Sequence, residues 1–151
     1  MITILRCISF ALLAVTIAFA AERGTLAQAQ LMLTRVIAHY KAVGRAQAIA
    51  DFTAGMQPFH ESDLYVVCID RQRMVSANGA FPENVYSSAD LLRTWNGKGV
   101  GTAAWEVTAA TGQGAVRFRW INPVTHHLET KIAYFARLGE DVCGVGVYSP
   151  E

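Results

Sequence analysis

The sequence predicts an α+β domain on an antiparallel sheet. Three observations predict it. A long stretch at helical spacing lies near the start of the chain, about residues 25–44. A strand-turn-strand pattern follows at residues 63–77. Three more strand-like runs, joined by tight turns, close the chain. Strands that follow one another through short turns pair antiparallel. Helices confined to places outside those hairpins make the class α+β rather than α/β.

Each element has a local reason. Thr25 is a candidate N-cap. Leu26, Ala29, Leu33, Val36, Ile37, Tyr40 and Val43 then fall on one face, and Gly44 stops the helix. A shorter helix runs from Arg45 to about Phe52, and residues 53–62 form a loop carrying Gly55 and Pro58. Leu64-Tyr65-Val66-Val67-Cys68-Ile69 reads as a strand buried on both faces, turning at Asp70–Arg73 into Met74-Val75-Ser76-Ala77. After an irregular loop, Ser87 or Ser88 caps a predicted short helix through Leu91, Leu92 and Trp95. Gly101 to Thr111 is predicted as another helix, ended by Gly112-Gln113-Gly114. Val116, Phe118 and Trp120 alternate with Arg117 and Arg119, the period of a strand. That strand leaves through Asn122-Pro123 and returns as Leu128–Leu138, and Gly139-Glu140-Asp141 turns it into Val142–Tyr148.

The 151 residues suffice for one domain, expected over residues 21–151. Residues 1–20 read as a secretory signal peptide: Arg6, an apolar run from Ile8 to Phe19, and the small-residue exit Ala18-Phe19-Ala20. An uncleaved anchor is the alternative. Cleavage removes one of 13 basic residues, leaving 12 against 12 acidic ones. A neutral chain gives no electrostatic argument for nucleic acid or an anionic membrane, and no later segment is long and apolar enough to span. The expected location is periplasmic or secreted. Cys7 leaves with the leader. Cys68 and Cys143 remain as an even pair where disulfides are permitted. They are bridged if their strands are neighbours, and otherwise are two buried small residues.

The chemistry favours binding over catalysis. Arg119, Trp120, Lys131 and Tyr134 are brought near one another by the strand pair on either side of Asn122-Pro123. Arginine and lysine supply charge-assisted donors, and aromatic rings supply apolar walls with a polar tip. Alternation sends Arg119 and Trp120 to opposite faces, so Trp120, Lys131 and Tyr134 are preferred over Arg119. Lys131 and Tyr134 also differ in face, which makes one of them an edge contact. Tyr65 is either a pocket hydroxyl or a buried tyrosine bonded to backbone, and Phe118 is a wall on the Trp120 face. Each of these has a plain structural alternative as a core or solvent-facing strand residue. The four histidines (His39, His60, His126, His127) show no convergent metal spacing. Asp63 and Glu61 read as a solvated strand entrance. Gly97–Gly101 is not preceded by a strand in the manner of a phosphate loop, and no G-x-S-x-G is present. No catalytic residue, metal or cofactor is expected.

Four pieces, in order, resemble the single Cache domain, an extracytoplasmic sensor module with a PAS-like fold. They are Asp63-Leu64-Tyr65-Val66-Val67, then Arg119–Thr125, then Glu129-Thr130-Lys131 with Tyr134, and last Val142-Cys143-Gly144-Val145-Gly146-Val147-Tyr148. The resemblance covers about residues 24–150. It implies a five-stranded antiparallel sheet with a long N-terminal helix on one face and a ligand pocket on the other. It implies a small-molecule ligand such as a carboxylate, amino acid or amine, with Tyr65, Phe118, Trp120, Lys131, Tyr134 and Arg119 as candidate contacts. The implied strand order sets the first and last strands side by side at the sheet centre, which makes Cys68 and Cys143 neighbours. Two departures stand out. The family's Ala-His-Pro piece is replaced by Ser76-Ala77-Asn78-Gly79, and the turn Asp70–Arg73 lacks its usual glycine. The resemblance implies a role in signal transduction or chemotaxis. A free-standing version is expected, acting through a separate membrane receptor or kinase, with homodimerisation through the first helix as an option. The alternative is a structural or interaction module with a degenerate pocket.

Overall fold

The structure, a computed structural model, describes residues 23–149. The leader with its Ala18-Phe19-Ala20 exit lies outside the described residues, as do Arg6 and Cys7. Helix α1 spans Leu26–Val43 and α2 spans Arg45–Thr53. Thr25 caps α1 reciprocally: its hydroxyl accepts from Gln28 N at 3.2 Å, while its own N–H donates to Gln28 Oε1 at 2.8 Å. Gly44 takes φ +79° and donates to Tyr40 O, ending α1 and opening α2. The buried face of α1 is Ala29, Met32, Leu33 and Val36. Leu26 and Val43, predicted on that face, lie at the helix ends and are exposed.

The strands are β1 (His60–Glu61), β2 (Leu64–Asp70), β3 (Val75–Asn78), β4 (Gln113–Ile121), β5 (Leu128–Leu138) and β6 (Asp141–Ser149). Their order is β1-β2-β6-β5-β4, with β3 also paired to β2, all antiparallel. Because β1 and β3 pair with different parts of β2, the sheet is five strands wide, with the two-residue β1 as an addition that the sequence analysis treated as loop. The first long strand and the last lie side by side. Cys68 stands opposite Cys143 in register, and their sulfurs are bonded.

Two further elements differ from expectation. The helix predicted from Ser87 or Ser88 to Trp95 is a single 3₁₀ turn, Ala89–Leu91, capped by Ser88. Beyond it the chain extends and is captured by neighbours: Leu92 O accepts from Val100 N, and Thr94 bridges to Phe118 on β4. Helix α3 is Val100–Val107, shorter than predicted. The Thr108 hydroxyl donates back to Ala104 O and Trp105 O, taking up carbonyls at the helix end, and Gly112 at φ +79° turns the chain into β4.

The sheet separates two apolar layers. On one face α1 and α2 pack Met32, Leu33, Val36 and Phe52 over Leu64, Val66, Cys68, Cys143 and Val145. Each such large side chain contributes about 1.5–3 kcal/mol on burial. On the other face lie Ile69, Val75, Val100, Trp105, Val116, Phe118 and Phe135. No helix among the described residues is long and apolar enough to cross a membrane.

Candidate ligand-binding site

The second face is not filled solid. A cavity of about 250 Å³ lies between the sheet and the chain from Asn78 to Val100. Its floor follows strand parity. Tyr65, Val67 and Ile69 from β2, Phe118 and Trp120 from β4, and Lys131, Ala133 and Phe135 from β5 all point into it. On β6 the alternation Cys143-Gly144-Val145-Gly146 has a direct reading. Cys143 and Val145 fill the helix side, while Gly144 and Gly146 border the cavity. A Cβ on Gly144 would collide with the Phe135 ring, and one on Gly146 with the Lys131 stem. Gly146 thus leaves room for the Lys131 stem to lie across the floor, and Gly144 for the Phe135 ring.

Among the described residues Lys131 is the one cationic side chain lining the cavity, and it is 2% exposed. Its Nζ donates to Tyr148 Oη at 3.2 Å and lies 3.7 Å from the Tyr65 ring centroid and 4.7 Å from that of Tyr148. The two tyrosine hydroxyls are 3.0 Å apart, and Tyr148 Oη donates to Ile121 O at 2.9 Å. Phe81 meets both Tyr65 and Trp120 edge-on at 5.8 Å. Among the described residues no carboxylate lies within ion-pair distance of Nζ. Desolvation by burial therefore pulls the Lys131 pKa down to about 7, only partly countered by the field of Asp63. The same burial raises the pKa of Tyr65 and of Tyr148, keeping both as neutral hydroxyls.

The remaining polar lining comes from Asn78, Asn84, Ser87 and Ser88. Asn78 Oδ1 accepts from Ala80 N and Phe81 N, which shapes the loop roof. Its Nδ2 makes no bond to another described residue. Asn78, in the piece Ser76-Ala77-Asn78-Gly79, places a buried amide at the cavity wall. Leu91, Leu92 and Val100 complete the apolar part, with Leu91 largely exposed at the rim.

Of the six candidate contacts, Tyr65, Phe118, Trp120 and Lys131 line the cavity and Arg119 and Tyr134 do not. Arg119 points off the other face of β4, where its guanidinium approaches Leu128 O at 3.4 Å. Tyr134 packs on the helix side with the α1 core. The parity that separates Lys131 from Tyr134 leaves no edge contact for the tyrosine. Asn78, the serines, Leu91, Leu92 and the two β6 glycines carried too little individual signal to be singled out as contacts.

The Asn122-Pro123 turn is structural. Asn122 is fully buried, its Oδ1 accepting from Val124 N and its Nδ2 donating to Asp63 and Glu129. Asp63, expected to be solvated, is 1% exposed and also accepts from Gly24 N at 2.7 Å. Glu129 takes a bidentate pair from Arg23 at 2.6 and 3.0 Å and a bond from Thr125. The Arg23 hydrogen bonds lead in holding its pKa down at about 2. This network ties the chain before α1 to the sheet edge. The histidines are dispersed: His126 and His127 are exposed in the turn, and His39 contacts Asp51. No group of three or more His, Cys, Asp or Glu converges among the described residues.

Three solved structures share this fold. A methyl-accepting chemotaxis protein from Vibrio parahaemolyticus superposes with a TM-score of 0.65 at 20% identity, over 81% of this chain and 86% of that one. The fold is Cache-like. A periplasmic sensor domain of a chemotaxis protein gives 0.58 at 17% identity, over 80% and 88% of the two chains. A Cache chemosensory domain described for carboxylic acid recognition gives 0.58 at 17%, over 80% and 86%. No protein-family model matches the sequence, and no curated protein sequence matches it.

Proposed function

We propose that this protein is an extracytoplasmic, non-enzymatic sensor that binds a small organic acid and acts on a separate signalling partner. The observation that carries the reading is Lys131: a buried ammonium at the floor of an open, mostly apolar cavity, with no carboxylate of the described residues paired to it. Burying a lone cation costs several kcal/mol, a cost that packing alone gives no reason to bear. A ligand carboxylate on Nζ offsets it. Tyr65, Trp120 and Phe118 then wall the acid, Asn78 Nδ2 offers a second donor, and the apolar end points toward Leu92 and Val100. The cavity volume, below the roughly 300–1,000 Å³ of drug-sized sites, suits a ligand of a few carbons. The Cache chemosensory neighbour described for carboxylic acid recognition supports the same class.

The experiment is a thermal-shift and calorimetric series of short aliphatic and aromatic acids against their isosteric amides. A saturating acid at about 100 times its Kd stabilises the fold by about 2.7 kcal/mol, and the amide does not. Binding is level between the ligand's own carboxyl pKa, about 4–5, and pH 7, and weakens about tenfold per pH unit above it, because the empty site must first reprotonate Lys131. Equal shifts from acid and amide would overturn the assignment.

A further inference from the structure

Away from the cavity, three arginines converge on one indole. Trp105, near the end of α3, is approached by Arg137 at 4.6 Å, Arg73 at 5.2 Å and Arg71 at 5.9 Å from the ring centroid. Arg71 and Arg73 come from the β2–β3 turn and Arg137 from the far end of β5. With Glu106 and Ala109 they border an open groove of about 450 Å³.

The local charges do not cancel. Arg71 pairs with Glu140 at 3.2 Å, and Glu106 is taken by Lys98. Arg73 and Arg137 each give one N–H to a backbone carbonyl, of Arg71 and Trp105 respectively, both at 2.7 Å. Among the described residues neither meets a carboxylate. Arg73 also holds φ at +67°, a left-handed conformation that costs a side-chain-bearing residue about 1–2 kcal/mol. Trp105 is 7% exposed, and its Nε1–H is the one buried side-chain donor without an acceptor among the described residues. The guanidiniums of Arg73 and Arg137, stacked about the Trp105 ring and without a carboxylate among the described residues, are relieved by an acceptor-only oxyanion in the groove.

We propose that the Arg71–Arg73–Arg137 cluster around Trp105 is a docking site for the carboxylates of an acidic segment on a partner protein. A free small anion is a poorer fit. Exposed ion pairs are worth about 0–1 kcal/mol and are screened by salt, so useful affinity requires further buried area. An apposed polypeptide supplies that area over Trp105, Ala109 and the arginine stems. Tryptophan and arginine are the side chains that dominate interface energetics. The proposal rests on the sensor reading only in expecting a partner. It needs nothing in the cavity, whose Lys131 lies toward the other end of β5 from Arg137.

The test titrates a hexaglutamate peptide into ¹⁵N-indole-labelled protein and follows the three tryptophan Nε1–H resonances. The peptide is too large for the cavity. The expected result is a shift of the Trp105 resonance with that of Trp120 unmoved, and an affinity that falls steeply with added salt. Arg73→Glu weakens binding by about tenfold or more while leaving the melting temperature near wild type, since its one hydrogen bond is to the exposed turn. Arg71→Glu gives a second, independent reversal. Lys131→Met binds the peptide as wild type does, so failure of acid binding in the cavity is separable from failure here. No movement of Trp105 at millimolar peptide would overturn the site, as would unchanged affinity in both reversals. Inorganic phosphate that reproduces the shift at equal concentration would overturn the partner assignment in favour of a small anion.

Discussion

Replacing Lys131 by methionine keeps an unbranched side chain on the cavity floor and removes the buried ammonium. The depression of the Lys131 pKa from 10.5 to about 7 corresponds, at about 1.4 kcal/mol per unit, to a burial penalty of about 5 kcal/mol. Methionine escapes that penalty but forfeits the bond to Tyr148 and the contact with the Tyr65 ring, together about 1–3 kcal/mol. The ligand-free variant is therefore expected to be about 2–4 kcal/mol more stable at pH 5–6, a melting increase of about 5–15 °C for a chain of this size. The sign depends on pH. Below the folded pKa of about 7, both folded and unfolded chains hold the proton and the wild type carries the whole penalty. Between pH 7 and 10.5 only the unfolded chain holds it, so wild-type stability rises with pH and the gap to the variant closes. Above 10.5 the variant has only lost contacts. Denaturant melts of both proteins at several pH values, with acid binding in parallel, read this out. The expected variant is more stable and does not bind acids. A variant less stable than wild type at pH 5–6 would make Lys131 a structural residue, and retained acid affinity would remove it from the site.

Three further outcomes follow from the geometry. Gly146→Ala places a methyl group on the Lys131 stem, so Lys131 must move into the cavity and acid affinity drops by about tenfold or more while the fold survives, as calorimetry on the purified variant checks. Glu129, held at about 2 instead of 4.5 chiefly by Arg23, contributes stability that is present above pH 4.5 and lost as pH falls toward 2; Arg23→Ala should shift the acid-unfolding midpoint upward, and an unchanged midpoint would show the Arg23 clamp to be idle. The Cys68–Cys143 bond closes a loop of 75 residues, for which chain entropy gives about 4 kcal/mol; reduction or Cys68→Ala with Cys143→Ala should lower the denaturant midpoint correspondingly, without moving the acid specificity.

The sequence by itself determined what local physics controls. Thr25 and Gly44 bound the first helix because caps satisfy backbone groups within a few residues. The β5 limits were legible because Asn122-Pro123 and Gly139 punctuate them. Period-two alternation by itself sorts Trp120 from Arg119 and Lys131 from Tyr134, although it does not say which face holds the cavity. What tertiary structure alone decided involves partners distant in the chain. Residues 92–95 left their helical pattern because β4 and α3 offered backbone bonds that the isolated segment lacked. Asp63 looked solvated in sequence, yet it is buried because Gly24 and Asn122, 39 and 59 residues away, both donate to it. The cavity floor takes its shape because Gly146 on β6 leaves room for Lys131 and Gly144 for Phe135, both on β5, and the arginine cluster exists because a hairpin turn and a strand end meet one indole. No window of sequence contains those meetings, since burial and charge pairing are properties of the assembled neighbours.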